Sequence, residues 1–91
     1  MKATRKKKIT LHPDLIRSEE MKVRSHVQRE KEEWIINTLM IEGYDVPFKY
    51  RRKKQYQDLK GARVNLTYYP DTETVAGIPM EVMAVVSIKI A

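Results

Sequence analysis

The chain has 91 residues, a formal net charge of +6, 42% hydrophobic and 33% charged residues, and no cysteine. These values exclude disulfides, thiolate metal sites and a cysteine nucleophile. They leave room for one globular domain with a modest core, to which a partner subunit could add stability.

No apolar run approaches the roughly 18 residues that a membrane span needs. The basic N-terminus runs through Ile9-Thr10-Leu11 straight into His12-Pro13-Asp14, so there is no signal-peptide core. The expectation is a soluble, unprocessed, cytoplasmic chain without membrane contact. The positive charge is concentrated in two places. Lys2, Arg5, Lys6, Lys7 and Lys8 lie at the N-terminus, and Lys49, Arg51, Arg52, Lys53, Lys54, Lys60 and Arg63 surround the single Asp58, while the rest of the chain is net acidic. Two cationic clusters on an acidic scaffold are the footprint of a polyanion-binding protein.

In chain order, residues 1–8 read as a flexible basic arm, and residues 9–91 as a single α+β domain. Residues 8–12 alternate polar and apolar, a short strand with Lys8, Thr10 and His12 on its outer face. Pro13 and Asp14 suit a helix start. From Leu15 to Glu42 there is no glycine or proline, and Ile16, Val23, Val27, Trp34 and Ile41 recur at spacings of four and seven. This predicts one long helix, continuous or broken at the polar run 28–33, with Gly43 as its C-cap. Trp34 to Ile41 is apolar nearly all round, which marks a core or dimer helix.

Residues 44–50 read as extended, an edge strand at most because Pro47 removes a ladder donor. Residues 51–60 show no period and read as a loop or short helix, and Gly61 marks a turn. Residues 62–69 alternate, with Val64, Leu66 and Tyr68 on one face. Ala76-Gly77-Ile78-Pro79 carries turn chemistry. Met80 to Ile90 is the strongest strand signal, apolar on both faces near its middle. The two strands are expected to pair as a C-terminal antiparallel hairpin on which the helix packs. The predicted core is Val27, Trp34, Leu39, Ile41, Val64, Leu66, Val82, Val86 and Ile88.

The stretch from Phe48 to Arg63 interleaves cations with Tyr50 and Tyr56. Arginine forks fit phosphate oxygens, lysines act as point charges, and tyrosines either stack on unpaired bases or seal a core. The candidate nucleic-acid contacts are Arg5, Lys6, Lys7, Lys8, Lys49, Arg51, Arg52, Lys53, Lys54, Lys60 and Arg63. DNA and RNA are equally compatible with this pattern. The alternative class is a homo-oligomeric adaptor, dimerising through Trp34 to Ile41 or through Met80 to Ile90.

Two further patterns bear on function. The N-terminal half, with Lys7-Lys8-Ile9-Thr10-Leu11-His12-Pro13-Asp14 followed by Glu33-Trp34-Ile35-Ile36-Asn37-Thr38-Leu39, resembles the ribbon–helix–helix repressors. That resemblance implies a strand paired across a dimer, presenting Lys8, Thr10 and His12 to the major groove. Glu30, Glu32 and Glu33 stand where that family places small polar residues. Pro70-Asp71 and Glu81-Val82-Met83 echo the acidic pattern of the PD-(D/E)xK nucleases, with Met83 in place of the lysine, so an inactive relative is the form this reading takes. The bland reading, a turn plus a strand charge, is preferred. His12 and His26 lie in different elements, and no serine, glycine-rich or metal-ligand motif is present. No cofactor or metal is expected, and a non-catalytic binding role ranks ahead of an enzyme.

Overall fold

The computed structural model describes residues 15–91. The basic arm at residues 1–8, and with it Arg5, Lys6, Lys7 and Lys8, lies outside the described residues, as does the strand expected at residues 8–12. Five strands make up the fold: β1 (Ile16–Lys31), β2 (Trp34–Ile41), β3 (Phe48–Arg52), β4 (Arg63–Val75) and β5 (Ile78–Ile90). They close into a barrel in the order β1-β2-β3-β5-β4. All neighbours are antiparallel except β3 and β5, which run parallel. Five strands in one barrel with a single parallel seam resemble the architecture of the OB-fold, a five-stranded, partly open Greek-key barrel.

The expected α+β architecture is therefore corrected: among the described residues there is no helix, and the predicted long helix is the hairpin β1–β2. Its turn is Glu32-Glu33, with Glu32 at φ 58° and neither glycine nor asparagine to announce it. Two bulges hide the period of two in β1, one between Ser18 and Met21 and one between Val23 and Ser25. Each inserts an extra residue and reverses the faces of the residues after it. The inward set becomes Ile16, Ser18, Met21, Val23, His26 and Gln28, which has no simple spacing. The first bulge puts Glu20 at φ 56°; its N–H donates to Asn65 Oδ1 at 2.9 Å and its carbonyl accepts from Arg63 Nη1 at 3.2 Å. The ribbon–helix–helix resemblance fails with the helices.

Gly43 does adopt the left-handed conformation, φ 89°, but in the β2–β3 connection rather than at a helix end. β3 is not an edge strand: it lies between β2 and β5, and Arg51 and Arg52 belong to it. The C-terminal hairpin is as expected and longer, pairing Val64↔Ile90 through to Val75↔Ile78 around Ala76-Gly77, both at positive φ. Two left-handed residues make the mirror-image turn that matches strand twist.

The core is built from the inward residues. Leu39, Ile41, Phe48 and Val64 are fully buried, and Val23, Leu66 and Tyr68 nearly so. Phe48 is its centre, meeting the Tyr68 ring edge-on at 4.8 Å and the Tyr44 ring at 5.3 Å. Of the predicted core, Leu39, Ile41, Val64, Leu66 and Val82 are buried and Ile88 is partly so. Val27 and Val86 are exposed, and Trp34 is only half-buried. No helix of the described residues is long and apolar enough to cross a membrane.

Candidate nucleic-acid interface

The strand register sorts the side chains of β1, β2 and β3 into an inner and an outer face. Directly opposed residues share a face, so the buried pair Leu39↔Phe48 marks the inside. The outside is then Val27, Arg29 and Lys31 on β1, opposite Thr38, Ile36 and Trp34 on β2, with Lys49 and Arg51 opposite Thr38 and Ile36 from β3. Trp34 and Ile36 thus form an apolar strip with cations along both sides. Lys53 extends the strip: its Nζ lies 4.3 Å from the Trp34 ring centroid, and the Arg51 guanidinium lies 5.3 Å from it.

A groove lined by Trp34, Tyr50, Arg51, Arg52, Lys53 and Tyr56 runs from this strip to the seam with β5, where Val85 to Ile88 form the opposite wall. The Arg52 guanidinium stands 5.5 Å from the Tyr50 ring centroid and 5.0 Å from that of Tyr56. Each aromatic ring of the groove therefore carries a cation on or near its face. Such pairs are worth about 0.5–1 kcal/mol at exposed sites, little enough for a base to displace the cation towards a phosphate. A second cleft shares Lys31, Trp34, Ile36 and Arg51 with the strip and has the β4–β5 hairpin as its other wall, where Lys49 Nζ is paired with the Glu73 carboxylate and Asp71 and Glu32 add negative charge. The acids make that cleft a poorer path for phosphate than the first.

The connection from β3 to β4, residues 53–62, is strapped to β1 from inside. Gln28 bonds the Tyr56 backbone twice, Nε2 donating to its carbonyl at 2.8 Å and Oε1 accepting its N–H at 3.1 Å. The Leu59 N–H donates to His26 Nδ1 at 2.9 Å. Since Nδ1 accepts, the ring proton sits on Nε2 and donates to Asn37 Oδ1 at 2.8 Å. Asn37 Nδ2 in turn donates to the Ile35 carbonyl at 3.2 Å. These bonds hold Tyr56 at the groove although 54% of its surface is exposed.

Burial pushes the Tyr50 phenol above its ordinary range, against the opposing charge of Arg52. Burial also raises the Tyr68 phenol; its hydrogen bond with Ser18 opposes the shift and Tyr44 adds to it. An unfolded tyrosine titrates near about 10. Above that pH the unfolded chain has released protons that the folded state still holds. The stability these phenols contribute is therefore fully present below about pH 10 and is lost as pH rises through their higher folded values. Denaturant midpoints should be level from neutral pH to about 9 and fall beyond about 10, and a Tyr50→Phe/Tyr68→Phe chain should show a shallower alkaline decline.

Of the residues expected to bind, Arg51, Arg52 and Lys53 come together on the groove, with Lys49 next to it in the acidic cleft. Lys54 is exposed beyond it. Arg63 and Lys60 are elsewhere: Arg63 opposes Lys22 on the β1–β4 side and braces the Glu20 bulge, and Lys60 follows Asp58 at the Gly61 turn, φ 87°. Arg29 and Lys31 were not singled out in the sequence, because they lie in the mixed-charge run 28–33 outside the two cationic clusters, and only the strand register sets them opposite Ile36 and Trp34. The nuclease-like pattern also dissolves. Asp71 opposes Val82 and Glu81 opposes Thr72, so the two carboxylates lie on opposite faces of the hairpin and share no ion. No group of three acidic or histidine side chains suited to a metal occurs among the described residues. No protein-family model, curated protein or solved structure matches the chain.

Trp34 belongs to this surface rather than to the core. Its replacement by alanine should cost less than about 1.5 kcal/mol of stability, instead of the roughly 3–5 kcal/mol of a buried aromatic. Chemical denaturation of Trp34→Ala, followed by circular dichroism, measures this directly.

Proposed function

We propose that the protein is a non-catalytic nucleic-acid-binding module whose interface is the outer face of β1, β2 and β3 together with the groove at the β3–β5 seam. The observation that carries this reading is that Trp34, Ile36, Arg29, Lys31 and Arg51 share the outer face while Tyr50, Arg52, Lys53 and Tyr56 line the groove that adjoins it at the β3–β5 seam. Phosphates need the cations, and bases need the rings. The architecture adds weight, because OB-fold barrels use the face of strands 2 and 3 for oligonucleotides and oligosaccharides, though fold alone does not specify function. A cytoplasmic location belongs to the same proposal, with either DNA or RNA as the target.

A second reading, self-association, is favoured by the exposed Ile78, Met80, Val86 and Ile90 along β5. Fluorescence polarisation with labelled single-stranded and duplex DNA and RNA at two salt concentrations tests the first reading. It requires affinity that falls steeply with salt. No binding at low salt, with a concentration-dependent oligomer in light scattering, would transfer the assignment to the second.

A further inference from the structure

At the end of the barrel where β3 stops, the inward residues and the β3–β4 connection line a cavity of about 260 Å³ that opens to solvent. Ile88, Ile90 and Leu59 give it apolar walls, Asn37 and His26 give it a polar floor, and Tyr50 lines its side. Tyr50, Arg52, Tyr56 and Ile88 border both this cavity and the groove outside, so the two spaces meet at the same four residues. The floor is held in one orientation by the chain from the Leu59 N–H through the His26 ring to the Asn37 carboxamide and on to the Ile35 carbonyl. Asn37 is only 2% exposed. Only one of its two amide hydrogens is used in that chain, and the other has no protein partner among the described residues. The Tyr50 hydroxyl likewise has none.

A buried donor without an acceptor costs free energy that a ligand can recover. The space is smaller than the roughly 300 Å³ at which drug-sized ligand sites begin. It suits one planar heterocycle with a carbonyl or ring-nitrogen acceptor, entering past a tyrosine ring, with an arginine at the rim for the adjoining phosphate. We propose that this cavity receives one unpaired base of a single-stranded nucleic acid, held between the apolar walls and hydrogen-bonded by Asn37. The inference deepens the nucleic-acid reading and rests on it. It names the ligand as single-stranded, because a base inside a duplex reaches such a pocket only by being unstacked and flipped.

The test uses the full chain and three probes: a short single strand, its duplex, and a strand of the same length built of abasic nucleotides. Nitrogen–proton correlation spectra follow the Asn37 side-chain amide, and polarisation gives the affinities. The expected result is that the base-bearing strand shifts the Asn37 amide signals and binds about tenfold or more tightly than the abasic strand, in line with the contribution of one well-held base. The duplex and the abasic strand should leave those signals in place. Ile90→Trp fills the cavity from the exposed rim. It should abolish the Asn37 shift and remove most of that preference without weakening abasic binding. Asn37→Leu removes the donor, and Ile90→Trp stands in for it if that chain does not fold. Salt-sensitive binding of the base-bearing strand that leaves Asn37 unmoved, or a preference unchanged in Ile90→Trp, overturns the pocket while leaving the outer interface standing. Absence of binding by every probe overturns both.

Discussion

Phe48→Ala should be the most damaging single truncation in the chain, lowering stability by about 3–5 kcal/mol. Phe48 is fully buried and meets both Tyr44 and Tyr68 edge-on. It also begins β3, opposing Leu39 on β2 and Met83 on β5, so it sits where three strands meet. Its loss leaves a cavity between antiparallel and parallel ladders that cannot collapse without moving one of them. A domain of this size has only about 5–15 kcal/mol to lose, so much of the population could unfold near body temperature. Urea denaturation against wild type measures the change, with Phe48→Leu as the milder companion at under about 2 kcal/mol. A Phe48→Ala chain within about 1 kcal/mol of wild type would remove Phe48 from the centre of the core.

The largest effect on binding should come from Arg29, Lys31, Arg51 and Lys53, replaced together by alanine. Each cation that sits on phosphate contributes about one unit to the salt slope. The fourfold variant should therefore lose about three to four units of slope, and on the order of a hundredfold or more in affinity at low salt. The control is Arg17, Lys60, Arg63 and Lys89, also replaced by alanine. Both variants lower net charge equally, yet the control residues lie away from the groove, Arg17 and Lys89 together on the outer face of the β1–β4–β5 sheet. The control should retain most of the affinity and slope. Salt-dependent polarisation on both variants gives the answer. Equal losses would mean that charge alone governs binding, and would dismiss the outer face as a defined interface.

Legibility of the fold in the sequence turns on a few residues. The hairpin β4–β5 was legible because Val64, Leu66 and Tyr68 keep a strict period of two and Ala76-Gly77 supplies the left-handed turn. The cationic stretch was legible as charge, and Arg51, Arg52 and Lys53 do meet on one groove, whereas Lys60 and Arg63 show that nearness in sequence is not nearness in space. The β1–β2 hairpin was not legible. Its bulges at Glu20 and Arg24 shift the phase twice, its inward face carries polar His26 and Gln28, and its turn is made of two glutamates. Trp34 and Ile36 made β2 apolar on both sides for two different reasons, a core on one face and an outer strip flanked by cations on the other. A helix reading assigned both to burial.

The narrow seam between β3 and β5 has a kinetic consequence. Only Phe48↔Met83 and Lys49↔Ala84 pair across it, reinforced by the Met83 N–H donating to the Pro47 carbonyl at 2.8 Å. The long β4–β5 hairpin can form from neighbouring residues, but the seam must bring together distant parts of the chain, and loop-closure entropy penalises that step until most of the barrel exists. With only two paired positions, the seam is the join of the barrel that should open most readily. Local opening there would release the Phe48↔Met83 and Lys49↔Ala84 pairs and widen the groove and the cavity mouth while the four antiparallel pairings persist, so the molecule can admit a ligand by fraying at one join rather than by unfolding.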